Sequence, residues 1–210
     1  MCYFLNIITL VLGNFAVNTY IVHSDNSREC VIIDPGHGFS KINTVISENH
    51  LCPKAILLTH SHFDHTGSVE EVREHYGCPI YLSEEDVEML GDPEKNLSQV
   101  FCDSPIAIND AEITLYDGEV FNIAGLTFEA IHTPGHVKGC MCYKCGTVLF
   151  TGDTLFDGCC GRCDLWSSNA DEMRQSLEKL FSFKENLSVC PGHGNATTLD
   201  KQRTSYKYSI

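Results

Sequence analysis

The chain has 210 residues, 43% hydrophobic and 20% charged, with a formal net charge of −14, which fits one globular domain over 1–210 rather than a disordered or fibrous chain. That acidic balance excludes nucleic acid as the expected partner, because a polyanion is repelled. The uncharged opening "MCYFLNIITLVLGNFAVNTYIV" lacks the basic start of a secretion signal; Asn6, Asn14 and Asn18 break it well short of the ~20 apolar residues of a membrane span, so no membrane and a cytoplasmic location are expected.

That opening reads as two β-strands joined by a turn near Gly13-Asn14. "IVHSDNSRECVIIDPGHG" is strand, polar turn, strand and a Gly/Pro turn. "FSKINTVISENHL" spaces Ile42, Val45 and Ile46 as a helix does, and "PKAILLTH" is a short buried strand. "SVEEVREHYG" predicts a helix capped by Ser68 and stopped by Gly77. "CPIYLS" is a strand and "EEDVEMLG" a short helix; 91–111, rich in Pro, Asp and Asn, is expected on the surface. "EVFNIAGLTFEAIHT" and "GCMCYKCGTVLFTGD" read as hairpins, the second turning near Lys144-Cys145-Gly146. "NADEMRQSLEKLFSF" predicts an amphipathic helix capped by Asn169, and "LSVCPGHG" a last strand and turn. Strands alternate with helices throughout, without an internal repeat, which indicates a sheet-based α/β domain.

Four of the apolar runs end in metal-type ligands. "AILLT" leads into His60, His62, Asp64 and His65; "FEAI" and "TPGH" lead to His136; "VLFTG" leads to Asp153; "LSVCPG" leads to His193. Strand ends open onto a sheet edge, where α/β proteins build their sites. His60 and His62, two apart in extended backbone, share a face. Seven ligands exceed the four of one tetrahedral ion and suit two adjacent ions sharing a carboxylate, with Asp153 the natural bridge. Imidazole and carboxylate favour zinc, with iron or manganese as the other options, over a thiolate site.

"HSHFDH", "TPGH", "FTGDT" and "PGHG" resemble, in order, the motifs of metallo-β-lactamase-fold hydrolases. "GDTLFDGCCGRCD" and "PGHGNATTL" are most similar to the glyoxalase II-like branch, the hydroxyacylglutathione hydrolases. The resemblance runs from "NTYIV" to "ATTL" and implies a four-layer αββα sandwich. It implies one divalent metal at His60, His62 and His136, a second at Asp64, His65 and His193, and Asp153 between them. Asp34 in "IIDPG" matches a position near the site and is either a support for the ligands or a turn residue. Arg162 lies where this branch places a basic residue for the glutathione carboxylate, and Lys138 is the other basic residue close by in sequence; both are candidate substrate contacts, with a plain surface salt bridge as the alternative for Arg162. Asp164 departs from the aromatic residue of the larger relatives. Only 16 residues follow Gly194, so the C-terminal helical domain that grips glutathione in those relatives is not expected here.

The activity so implied is hydrolysis of an acyl thioester, the expected partner being a small molecule, glutathione-derived or another thioester. Metal-activated water, its pKa lowered to about 7, is the nucleophile, Asp64 orients it, and a thiolate of conjugate pKa near 8.5 leaves without a general acid. The alternative within the fold is a mono-iron dioxygenase acting on glutathione persulfide, which resembles the chain at "GCCGRCD". A non-enzymatic zinc ribbon is the third reading: Cys142-x-x-Cys145 and Cys160-x-x-Cys163 have ribbon spacing, although Asp153 lies between the pairs. The 12 cysteines are expected to be reduced thiols in a cytosolic chain. His132 is expected to be structural because Pro134 prevents a helix from aligning it with His136.

Overall fold

Along the central strands apolar side chains point alternately to two different cores, the period-2 signature of strands buried on both faces. Tyr20, Val22, Val31, Ile33, Ala55 and Leu57 enter one core, while Ile21, Cys30, Ile32, Ile56 and Leu58 enter another. The computed structural model describes residues 4–205.

The first sheet holds β1 (Leu5–Leu12), β2 (Val17–Ser24), β3 (Glu29–Ile33), β4 (Cys52–Leu57), β5 (Ile80–Ser83) and β6 (Ile113–Leu115), adjacent in that order. β1 to β3 pair antiparallel and β3 to β6 parallel. The second sheet is ordered β12 (Thr197–Thr198), β11 (Ser188–Pro191), β10 (Val148–Gly152), β9 (Met141–Cys145), β8 (Leu126–His132), β7 (Val120–Ile123). Its pairs are antiparallel except the parallel β10/β11. Leu126, Phe128, Ala130, Tyr143 and Phe150 meet the first sheet's inner face, forming the central core.

Helices α1 (Phe39–Glu48) and α3 (Val69–Tyr76), with the short α2 (Phe63–Thr66), α4 (Val87–Leu90) and α5 (Ser98–Phe101), belong to the first sheet's side. Ile42, Ile46, Val69 and Val72 fill the outer core there. On the other side α6 (Ala170–Phe181) and α7 (Leu199–Ser205) cover the second sheet through Met173, Leu177, Leu180 and Leu199. The layers are therefore helix, sheet, sheet, helix, as expected. No helix of the described residues is long and apolar enough to cross a membrane.

Local expectations fare unevenly. Asn169 caps α6, its side chain accepting from the amides of Asp171 and Glu172, and Gly77 ends α3 in the left-handed conformation. Ser68 makes no cap bond to its helix; its hydroxyl accepts the Gly38 amide at 3.0 Å instead, tying the turn before α1 to the ligand loop. The 91–111 segment is not merely superficial: Asn96, Ser98 and Ile108 are buried in it, and Asn96 accepts the Phe63 amide at 3.0 Å. The sequence pattern marks none of α5, β6, β12 and α7, because such short runs carry no clear period. The ribbon cysteines are not gathered: Cys142 faces α6 and Cys145 the central core, from opposite faces of β9.

Candidate metal centre

All seven ligand candidates leave the C-terminal ends of strands at one rim of the sandwich. β4 delivers His60, His62, Asp64 and His65; β8 delivers His136; β10 delivers Asp153; β11 delivers His193. Parallel pairing of β3 with β4 and of β10 with β11 puts those ends side by side. The rim needs glycine at close approaches. A Cβ at Gly192 would overlap the Asp153 carboxylate and lie 2.7 Å from the His65 ring.

Three ligand sets form among the described residues: His60, His62 and His136; Asp64, His65 and His193; and His60, His65 and Asp153, each with donor atoms within 4.8 Å of one another. Asp153 lies between the first two sets. Its Oδ2 is 3.6 Å from His136 Nε2, while its Oδ1 is 3.3 Å from His65 Nε2 and 3.6 Å from His193 Nε2. Asp64 Oδ2 is 3.3 Å from His193 Nε2.

Partners outside the cluster fix which ring nitrogen faces it. His136 Nδ1 donates to the Arg162 carbonyl (2.8 Å), His193 Nδ1 to the Phe15 carbonyl (3.1 Å) and His65 Nδ1 to Asp34 (3.0 Å). Each Nε2 is then left inward. His136 Nε2 is 2.9 Å from His62 Nδ1, and His65 Nε2 is 3.3 Å from His193 Nε2. His65 and His193 both donate from Nδ1 to outside partners, so their facing Nε2 lone pairs repel unless positive charge lies between them. His60 Nε2, His62 Nε2 and Asp153 Oδ1 are buried and have no hydrogen-bond partner, a costly arrangement for polar atoms unless an ion completes it. On both observations the residues fit divalent metal held by nitrogen and oxygen ligands.

The electrostatics divide along the same line. Burial, then the neighbouring His65, keeps His60 well below the usual histidine range. Burial and His136 push His62 down to about 3. Both are therefore neutral imidazoles, the form a metal takes. Burial opposes charge on Asp64 and Asp153, yet His65 and its neighbours hold both below the usual carboxylate range. Burial likewise opposes charge on His65, but Asp64, Asp153 and Asp34 outweigh it and raise its affinity for a proton. The second ligand set thus attracts positive charge strongly.

Asp34 supports the centre rather than only a turn. Its Oδ1 accepts the Thr59 amide (2.8 Å), and its Oδ2 accepts the Thr59 hydroxyl (2.7 Å) and His65 Nδ1. It holds this position at φ 49°, a left-handed conformation that Asp tolerates better than most residues. Asn18, read from sequence only as a break in an apolar run, clamps the His193 turn by donating to the carbonyls of Pro191 (2.9 Å) and Gly194 (3.0 Å). No sequence signal distinguishes it. His132 is structural, its Nε2 bonding the Lys138 carbonyl at 2.7 Å. Of the two basic candidates, Arg162 forks onto Asp164 at 2.6 and 2.8 Å and Lys138 pairs with Glu85 at 3.4 Å, both as exposed ion pairs.

Residues 12–193 match the family described as the metallo-beta-lactamase superfamily. The Bacillus subtilis protein named "Probable metallo-hydrolase YqgX" is 38% identical over 89% of each chain. A hydroxyacylglutathione hydrolase of Klebsiella pneumoniae is 34% identical over 85% of this chain and 62% of its own. Among solved structures, the BLEG-1 B3 metallo-beta-lactamase superposes with a TM-score of 0.91 at 34% identity, covering 97% of this chain and 99% of that one. TTHA1623, described in a di-iron-bound form, superposes at 0.84 with 31% identity, covering 96% and 99%.

Proposed function

The chain belongs to the metallo-beta-lactamase superfamily of metal-dependent hydrolases, and from that premise we propose that it hydrolyses acyl thioesters in the manner of a hydroxyacylglutathione hydrolase. The observation that carries this reading is the seven-residue cluster with Asp153 between its two halves. His60, His62 and His136 would hold one divalent ion and Asp64, His65 and His193 the other, zinc being the expected metal. When bound, such a pair supplies Lewis acidity and a nucleophilic water at neutral pH.

The chain's own groups do the rest. His60 and His62, kept neutral by burial, present lone pairs without competing for protons. Asp64 is ionised, and one of its oxygens already faces His193; the other orients the attacking water and holds its proton in passing. Asp34 fixes His65, and Phe15 and Arg162 fix His193 and His136 through their carbonyls. The water oxygen bonds to the acyl carbon, the carbon–sulfur bond breaks with its electron pair on sulfur, and a carboxylate, a thiol and a proton result. A thiolate of conjugate pKa near 8.5 leaves without a protonating residue, which favours thioesters over amides.

The test is a substrate panel on zinc-, iron- and manganese-loaded protein: S-lactoylglutathione, other thioesters, the matching amides, a chromogenic β-lactam, and glutathione persulfide with oxygen uptake recorded. Thiol release well above the amide and β-lactam rates is the expected result. Oxygen uptake on the persulfide with one iron per chain, or lactam turnover exceeding every thioester, overturns it.

A further inference from the structure

Beside the charged cluster lies a cavity of opposite character. Phe15, in the turn between β1 and β2, Phe63 on α2 and Phe101 at the end of α5 converge there. Phe15 meets Phe63 edge-on at 4.9 Å and Phe101 at 5.4 Å, while Phe63 and Phe101 stack at 5.4 Å. With His37, Cys102 and Asp103 they line an open cavity of about 320 Å³, within the range of small-molecule sites. Phe15 remains 46% and Phe101 54% exposed, so two rings of a contiguous aromatic group face water.

Three links tie the walls of the cavity to the metal centre. Phe63 stands between His62 and Asp64 in the chain. The Phe15 carbonyl holds His193. The Phe63 amide donates to Asn96, which opens the segment that ends in α5. Phe63, flanked in the chain by two ligand candidates, is thus both a wall of the cavity and part of the ligand loop. The charge character of the cavity is as definite: none of the described residues lining it is lysine or arginine. Asp103 is the carboxylate there, so a glutathione arm with its two carboxylates finds no cation to pair with. An uncharged hydrocarbon or phenyl group gains stacking and apolar burial instead.

We propose that this cavity is the acyl subsite of the enzyme and that its substrates carry an uncharged apolar acyl group, phenyl or medium-length alkyl, next to the scissile carbonyl. The inference rests on the thioesterase reading above and specifies its substrate class.

The experiment uses metal-loaded full-length protein and N-acetylcysteamine thioesters, whose thiol part is small and neutral. Acetyl, hexanoyl and phenylacetyl esters are compared by kcat/KM, alongside S-lactoylglutathione. The phenylacetyl-to-acetyl ratio is expected to be about tenfold or more, to fall toward one in Phe101→Ala, and to be unchanged in Tyr116→Ala, which removes an exposed ring outside the cavity. Phe101→Lys, which puts a charge among the rings, is expected to lose the phenylacetyl preference as Phe101→Ala does. Independently of turnover, the non-hydrolysable thioether S-(2-phenylethyl)-N-acetylcysteamine should lose at least about fivefold in calorimetric affinity in Phe101→Ala. Hydrolysis with a flat acyl profile, or thioether binding indifferent to Phe101, overturns the subsite while leaving the hydrolase standing. Failure to hydrolyse any thioester, with thioether binding still dependent on Phe101, overturns the thioesterase reading and supports the apolar site.

Discussion

At the scale of single residues, the centre depends on groups that never touch substrate. Asp34 spends both carboxylate oxygens on Thr59 and His65. Asp34→Asn substitutes one acceptor by a donor and loses the charge opposite His65. Metal affinity, read by competition with a chromogenic chelator, should fall by about 10- to 100-fold with the fold intact. Asp86 is a different case. It is fully buried near Ser61, and a Cβ at Gly139 would overlap it. Burial, partly offset by Ser61, pushes its carboxyl from 3.8 up to about 6. A carboxyl raised on folding binds more protons folded than unfolded between those values. Its stabilising influence is therefore present at low pH and is lost as pH rises from about 4 to 6. Asp86→Asn lacks that titration, so urea unfolding should show the variant gaining on the parent chain by roughly 2 kcal/mol between pH 4 and 7. A difference that does not change with pH would refute the raised carboxyl.

At the scale of elements, two tyrosines couple the sheets directly behind the ligands. Tyr143 on β9 donates to the Leu58 carbonyl at 2.7 Å, two residues before His60, and Tyr20 on β2 donates to the Pro191 carbonyl at 2.6 Å, two before His193. Each sheet thus holds the other's ligand-bearing exit. Tyr143→Phe leaves a buried carbonyl without that donor and should cost about 1–3 kcal/mol in urea unfolding, with weaker metal retention. These links also show where sequence reading stops. Alternation in "AILLT" and "VLFTG" marks strands, and clustered histidines at their ends mark the centre, since both are local patterns. Asn169 was readable as a cap because the helix after it is strongly amphipathic. Ser68 has the same sequence credentials, yet its hydroxyl bonds Gly38 from another segment. Asn18, Tyr20 and Tyr143 act through partners 85 to 176 positions away, which no local period encodes.

At the scale of the whole molecule, two sheets with helices outside bring four strand exits to one rim, and the rim carries both a cation-seeking cluster and an aromatic cavity. The fold follows from alternating patterns buried on both faces. The chemistry follows from loops that the sheets hold within a few ångströms of one another. The most direct test of this account is metal content per chain, measured by elemental analysis after loading and exhaustive dialysis, for the parent chain and for Asp153→Asn. Two ions per chain in the parent, falling to one or fewer in the variant while the far-UV circular dichroism is unchanged, is the predicted result. A single ion in the parent at every loading, or two retained in Asp153→Asn, would contradict a shared centre bridged by that carboxylate.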